Sequence, residues 1–355
     1  MENPSAGPAG SQPIRKENRR VRRVLTALGV IAIFAAFFAW AMASPTASSP
    51  DDDYHLSSIW CPWPVSSSGC EYEVEGSENV SVRVPESVAG AANCYAFRSD
   101  VSGACTEELS DSAYVSSVRF DDGSYPRGYY RFQQLFVGDD VYRSIVAMRL
   151  ANVVLGLGGL VAVGMLAGRR LGASLFVATV AAWVPMGVYF VASNNPTSWA
   201  ISGLLIYASA LLAAFHGEGL RRWALLGLAT LGAVMAATSR ADSAFYLLIV
   251  TLAIWALVPF VKERLVPFLW SFAMVVFGLA KFLSSGHSTS MTGDAGLPVR
   301  SDVSWLGVLK ENLYALPDYV VGFWGQGFPL GWLDTPLLTW STALCSARMT
   351  TRRMK

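Results

Sequence analysis

The chain has 355 residues, of which 53% are hydrophobic and 15% charged, and its formal net charge is +1. Soluble domains carry about 25% charged residues, so an ordinary soluble enzyme and a disordered chain are both excluded. A net charge so close to zero also leaves no basic footprint for nucleic acid.

The charges are unevenly placed. Residues 44–143 hold 16 acidic and 6 basic residues, net −10, whereas residues 144–355 hold 23 charges in 212 positions. One wet block and an apolar remainder are the division of a multi-pass membrane protein with a large aqueous loop.

Residues 1–23 form a basic tail with Arg15, Lys16, Arg19, Arg20, Arg22 and Arg23. Val24–Ala43 follows without a charge and is long enough to span a bilayer. The basic start and Ala41-Met42-Ala43 also fit a cleavable signal peptide, but the apolar run exceeds the roughly 7–15 residues of such a leader and favours an uncleaved anchor.

Ser49-Pro50-Asp51-Asp52-Asp53-Tyr54-His55 comes next and is the sharpest chemical feature. Adjacent carboxylates repel, which raises at least one pKa. A raised carboxylate is suited to general-base work on a hydroxyl. Oxygen ligands such as Asp52 and Asp53 also suit a divalent cation. The competing reading is a solvated acidic turn that caps a helix.

Residues 44–143 are expected to form a small α+β domain outside the membrane. Val80–Val84 alternates at period two and reads as a strand, and Ala113–Phe120 is a second candidate. Cys61, Cys70, Cys94 and Cys105 suggest two disulfides. Of three connectivities, the local one is expected: Cys61 with Cys70, and Cys94 with Cys105. The stretch Tyr125-Pro126-Arg127-Gly128-Tyr129-Tyr130-Arg131 lies just before the next span, where aromatics suit a membrane interface. Its arginines either bind lipid phosphate or simply snorkel.

Residues 144–283 are expected to hold six further spans: Ser144–Ala167, Leu171–Ala192, Trp199–Phe215, Trp223–Thr238, Ala244–Val261 and Leu265–Leu283. Pro185 is placed to kink the second of these. Gly164 and Gly168 form a GxxxG pattern, a sign of close helix packing. The pairs Arg169–Arg170, Arg221–Arg222 and Lys262 with Arg264 fall on the same side as the basic tail if the spans alternate. This puts the N-terminus in the cytoplasm and the acidic block outside. Arg149 lies inside a span, where charge is costly and usually functional. Arg240 and Asp242 flank an outer turn and either pair together or present Arg240 to an anionic substrate. Asn195, in the turn Asn194-Asn195-Pro196, is placed to line the same outer site. Asp51, Asp52, Arg149 and Arg240 are expected to converge on one outward cavity. His216 and His287 read as structural or solvated.

Four places carry a family resemblance: Pro50-Asp51-Asp52-Asp53-Tyr54-His55, Tyr125–Tyr130 leading to Met148-Arg149-Leu150, Asn195-Pro196, and Gly331-Trp332-Leu333-Asp334-Thr335-Pro336. Over about residues 20–340 the chain resembles the bacterial multi-pass proteins of domain-of-unknown-function family 2142 (DUF2142), which are grouped with the GT-C glycosyltransferases. Asp52 and Asp53 stand where the family more often has Glu and Pro.

The resemblance implies an all-α transmembrane bundle of about seven spans in the bacterial plasma membrane. It also implies a transferase that takes a sugar from a polyprenyl-phosphate donor to a cell-envelope glycan acceptor. Asp51 or Asp52 is then the base, and the other binds metal or orients. His55 orients a carboxylate or touches phosphate. Arg149 and Arg240, with Tyr129 and Asn195, bind the donor. Relatives continue with more helices after a motif like Gly331–Pro336. Residues 284–340 read as an outer or interfacial segment, and 341–355 as an atypical basic tail, as expected of a truncated or frameshifted product. Two rival readings are a non-enzymatic membrane protein with a partner-binding, disulfide-bonded ectodomain, and a lipid or sugar transporter.

Overall fold

The protein is described by a computed structural model over residues 13–75, 79–182, 185–285 and 304–322. Helix α1 (Pro13–Ala43) carries the first apolar run and leads directly into the polar block. That block folds as α2 (Asp52–Trp60), β1 (Tyr72–Glu75), β2 (Asn79–Pro85), α3 (Glu86–Ala89), α4 (Ala91–Tyr95), β3 (Tyr114–Ser117) and α5 (Gly128–Gln133). The chain then continues through α6 (Val141–Leu166), α7 (Arg169–Ala182), α8 (Pro185–Val191), α9 (Thr197–Ala214), α10 (Gly219–Ser239), α11 (Ala241–Leu257), α12 (Leu265–Leu283) and α13 (Trp305–Gly322).

The alternating valines do form a strand. β2 is the middle of an antiparallel sheet ordered β1–β2–β3, with Val82 opposite both Tyr72 and Ser117. Successive strand residues face opposite sides. Val82 and Val84 are accordingly fully buried, while Arg83 turns outward to Glu71 at 3.5 Å and Glu73 at 4.0 Å. Leu56 and Ile59 of α2 are fully buried in the same core. Both disulfides adopt the local pairing, Cys61–Cys70 and Cys94–Cys105, with sequence separations of 9 and 11. Loops this short restrict the unfolded chain by roughly 2–3 kcal/mol each.

Five segments are long and apolar enough to cross a membrane: Val24–Ala43, Val141–Leu166, Thr197–Ala214, Gly219–Ser239 and Lys262–Leu283. This is coarser than the seven spans expected. The run Leu171–Ala192 appears as α7 and α8, of 14 and 7 residues. Pro185 stands at the first position of α8, where a missing N–H costs nothing. α11 has 17 residues, which at about 1.5 Å each falls short of a ~30 Å hydrocarbon core. Pro259 follows closely and prevents its extension.

At the centre, α9 and α10 touch backbone to backbone. A methyl group on Gly203 would lie 2.7 Å from the Gly232 carbonyl oxygen, and one on Gly232 2.5 Å from that of Gly203. The GxxxG glycines behave differently. A methyl on Gly164 meets nothing within 4 Å, and Gly168, at φ 84°, ends α6 in the left-handed conformation that glycine accepts at no steric cost. Leu25, Leu28 and Ile31 on α1, and Leu269, Phe272 and Val276 on α12, stay exposed and form the apolar exterior a lipid phase covers.

The basic loops meet at the end away from the small domain. Arg221 donates to the Leu166 carbonyl, and Arg222 to those of Gly217 at 2.8 Å and Glu263 at 3.1 Å. His216 is exposed there, with Nδ1 at 3.0 Å from the Leu212 carbonyl. His287, Gly331–Pro336 and residues 341–355 lie outside the described residues.

Candidate functional site at the loop-domain end

The three aspartates begin α2, where the positive end of the helix dipole favours acid. Asp51 occupies the N-cap in a left-handed conformation, φ 62° and ψ 9°. Aspartate tolerates this region better than most residues. The tight turn sends the three carboxylates in different directions, and their surroundings differ accordingly.

Asp52 points inward and is fully buried. It accepts from the Ser49 backbone N–H at 3.3 Å and from the Ser49 hydroxyl, and lies 3.8 Å from the Arg149 guanidinium. Burial pushes its carboxyl up to about 6, against the opposing pull of Arg149 and Ser49; repulsion from Asp53 is the smallest cause. The rise expected from adjacent carboxylates therefore occurs, but desolvation produces it.

Arg149 is as buried as its partner. Its Nε donates to Asn194 Oδ1 at 2.7 Å, Nη1 to the carbonyls of Ser44 at 2.7 Å and Ala41 at 3.3 Å, and Nη2 to Pro45 O at 2.8 Å and Ser48 Oγ at 3.2 Å. The last carbonyls of a helix lack intrahelical donors, and this guanidinium supplies them at the end of α1. All its donors are engaged within the protein. Tyr129 is likewise fully buried and accepts from Asn152 Nδ2 at 3.2 Å, edge-to-face with Trp199 at 5.4 Å. Asn195 donates to the Pro50 carbonyl at 3.1 Å and fixes the turn before Asp51. These three residues brace the site from within, a different place from the ligand-facing one expected of them.

Asp51 lies on the outside and Asp53 is nearly buried beneath it, and Arg119 joins the two. Its Nε donates to Asp53 at 2.6 Å and its Nη2 to Asp51 at 2.9 Å. The Asp51 side chain is 65% exposed and that of Arg119 52%. Beside them, Arg240 pairs with Asp242 at 3.1 Å, reaches Thr197 at 3.4 Å, and sits 5.8 Å over the Tyr125 ring. The expected convergence of four residues on one cavity is thus replaced by two layers: Asp52 meets Arg149 inside, while Asp51 and Arg240 occupy the rim.

His55 joins an aromatic cluster between the layers. Its Nδ1 is 2.9 Å from the Tyr130 hydroxyl, and Tyr54 and Tyr125 pack edge-on at 5.3 and 5.4 Å. Burial, reinforced by Arg240 and Arg119, lowers its pKa to about 3. The imidazole is therefore neutral, and its Nδ1 shares a hydrogen bond with the Tyr130 hydroxyl whose donor is set by the tautomer. It touches no carboxylate among the contacts described. Asp121, raised to about 6 mainly by burial, accepts from the Tyr125 N–H at 3.0 Å beside this cluster.

A family described as a predicted membrane protein, DUF2142, matches residues 34–350. The chain belongs to the DUF2142 family. No curated protein and no solved structure matches it.

Among the described residues of this DUF2142 chain, no donor set for a divalent cation is assembled. No three His, Cys, Asp or Glu side chains come together as ligands among the described residues. Asp52 and Asp53 are each held by a different arginine. Arg119 is the main residue that sequence reasoning missed, because it lies 66 and 68 positions from its partners. Asn152 was also missed, though a polar side chain inside a span is itself a signal. It ties Gln133, Tyr129, Trp199 and the Ser193 carbonyl together at 2.5–3.2 Å.

Proposed function

We propose that the protein is a GT-C-type membrane glycosyltransferase of the bacterial plasma membrane. Its N-terminus is cytoplasmic, and its loop domain faces the cell envelope. It transfers a sugar from a polyprenyl-phosphate donor to a glycan acceptor at the loop-domain end of the bundle. Asp51 takes the proton of the acceptor hydroxyl. The freed oxygen bonds to the anomeric carbon, the bond from that carbon to the phosphate oxygen breaks, and polyprenyl phosphate leaves with the electron pair. Arg119 orients the base, and Arg119 and Arg240 provide positive potential for the departing phosphate.

The observation that carries the reading is Asp51. It is the surface-exposed first member of the acidic run, held by Arg119 at 2.9 Å. The separate burial of Asp52 supports choosing Asp51 as base and Asp52 as its structural support. Two further features favour surface chemistry over a charged conduit: the intramembrane Arg149 is fully engaged, and the exposed helix faces are apolar.

The test compares Asp51→Asn with wild-type protein in cells, following transfer and lipid-linked sugar in extracts. Loss of a general base costs about 10²-fold or more in transfer, with polyprenyl-linked sugar accumulating. Undiminished transfer by folded Asp51→Asn protein overturns the assignment.

A further inference from the structure

The acidic block has a cationic exception. Of the six arginines among residues 44–143, Arg83, Arg119 and Arg143 pair with carboxylates, and Arg98 donates to the carbonyls of Asn93 and Cys94. Arg127 and Arg131 make no ion pair or side-chain hydrogen bond among the described residues, although acid outnumbers base 16 to 6 around them. Both line the same cavity of about 450 Å³, and Lys281, from the last turn of α12, lines it from the other side.

Tyr125, Thr238, Ser284 and Ser285 complete the part of the wall that bears polar groups, and among the described residues no carboxylate contributes to it. Its size falls within the range of roughly 300–1,000 Å³ usual for ligand sites. Its floor depends on a close approach. A methyl group on Gly128 would stand 2.4 Å from Thr238 Cβ, so only glycine lets α5 settle against the end of α10.

Cations gathered without a counter-charge repel one another. The group they suit is an anion with several acceptor oxygens, and arginine's forked donors match phosphate. The location adds the rest. The cavity lies where the last turn of α12, the end of an apolar segment long enough to cross a membrane, reaches the loop domain. An amphiphile whose phosphate sits among these cations is held at the end of a membrane-length apolar helix, the level at which a lipid headgroup lies.

We infer that the cavity formed by Arg127, Arg131 and Lys281 binds the phosphate headgroup of an anionic membrane lipid. This gives the donor of the proposed transferase a seat for its phosphate, and to that extent it rests on that reading. Binding does not require transfer, so the two are separable.

The experiment measures binding of decyl phosphate and of inorganic phosphate to the full chain in phosphatidylcholine nanodiscs by tryptophan fluorescence. The wild-type protein is compared with Arg127→Gln/Arg131→Gln, Lys281→Gln and Arg143→Gln, each checked by thermal unfolding. Decyl phosphate is expected to bind more tightly than inorganic phosphate, about tenfold or more weakly to each cavity variant, and unchanged to Arg143→Gln. Equal loss in Arg143→Gln means general surface charge and overturns the site. Unchanged binding by folded cavity variants overturns it as well. Inorganic phosphate binding as tightly as decyl phosphate overturns the lipid assignment. Cavity-dependent binding by a protein without sugar transfer leaves this inference standing and removes the transferase. Full transfer by the double arginine variant leaves the transferase standing and removes the cavity as the seat of its donor.

Discussion

Arg149 holds Asp52 in the interior, whereas Arg119 reaches from the rim to hold exposed Asp51 and nearly buried Asp53. The inner pair is fully buried at 3.8 Å, and Arg149 also caps the end of α1. The outer pairs are shorter, 2.6 and 2.9 Å, yet Arg119 is half exposed. Distance alone ranks the outer pairs as stronger. Environment reverses that ranking for stability, because water screens the rim and leaves the interior charges dependent on one another. The same contrast divides labour: the inner layer holds the architecture, and the outer layer keeps a carboxylate in contact with solvent.

The largest test of this contrast is Arg149→Ala. It leaves Asp52 without its cation and the carbonyls of Ala41, Ser44 and Pro45 without the guanidinium donors. Thermal or denaturant unfolding in detergent is expected to show a loss of about 3–5 kcal/mol. A loss below about 1 kcal/mol breaks the comparison.

The second concerns pH. Asp52 is raised to about 6, above an unfolded value near 4. The folded state therefore binds more protons between these limits, and the Asp52 contribution to stability falls as pH rises from about 4 to about 6, by about 2–3 kcal/mol. His55, lowered to about 3, acts in the opposite sense, since its contribution is lost as pH falls from about 6.5. The two overlap, so the measurement is the wild-type stability minus that of Asp52→Asn across pH. That difference is expected to decline from about pH 4 to about 6 and to level off above. A flat difference removes the buried-acid assignment.

The smallest effect is expected from Arg119→Gln. Exposed pairs contribute about 1 kcal/mol or less, so unfolding shifts little. A loss matching that of Arg149→Ala means the rim is as structural as the interior.

Much of this was legible in the sequence, and the exceptions share a cause. The valine alternation fixed β2 because a period of two is a local property. The short cysteine separations favoured the local pairing for the same reason. The aspartate run stands out in the sequence, but nothing local separates Asp51 from Asp52. Their fates depend on Arg119 and Arg149, each far along the chain. The arginines of the Tyr125–Arg131 stretch stand out in the sequence, while the third cation of their cavity, Lys281, arrives from the end of α12. The glycine pattern was a partial guide: a spacing of four pointed to Gly164 and Gly168, and Gly172 of α7 does approach the Gly164 backbone, but the tighter contact joins Gly203 and Gly232 on two different helices. Span count suffered from breaks, since the apolar run 171–192 reads as continuous until Pro185 begins a helix of its own.

The grip of Arg149 on the carbonyls of Ala41, Ser44 and Pro45 spans 104 to 108 positions of chain, and Tyr142 adds a bond to Met42 at 3.0 Å. During synthesis, α1 and the whole loop domain emerge before their clamp does. Until the start of α6 arrives, Asp52 has no cation and the end of α1 no donor. The loop domain can close its sheet and disulfides early, but it is locked onto the membrane anchor only when the second long helix is made, so the final step of its assembly belongs to the bundle.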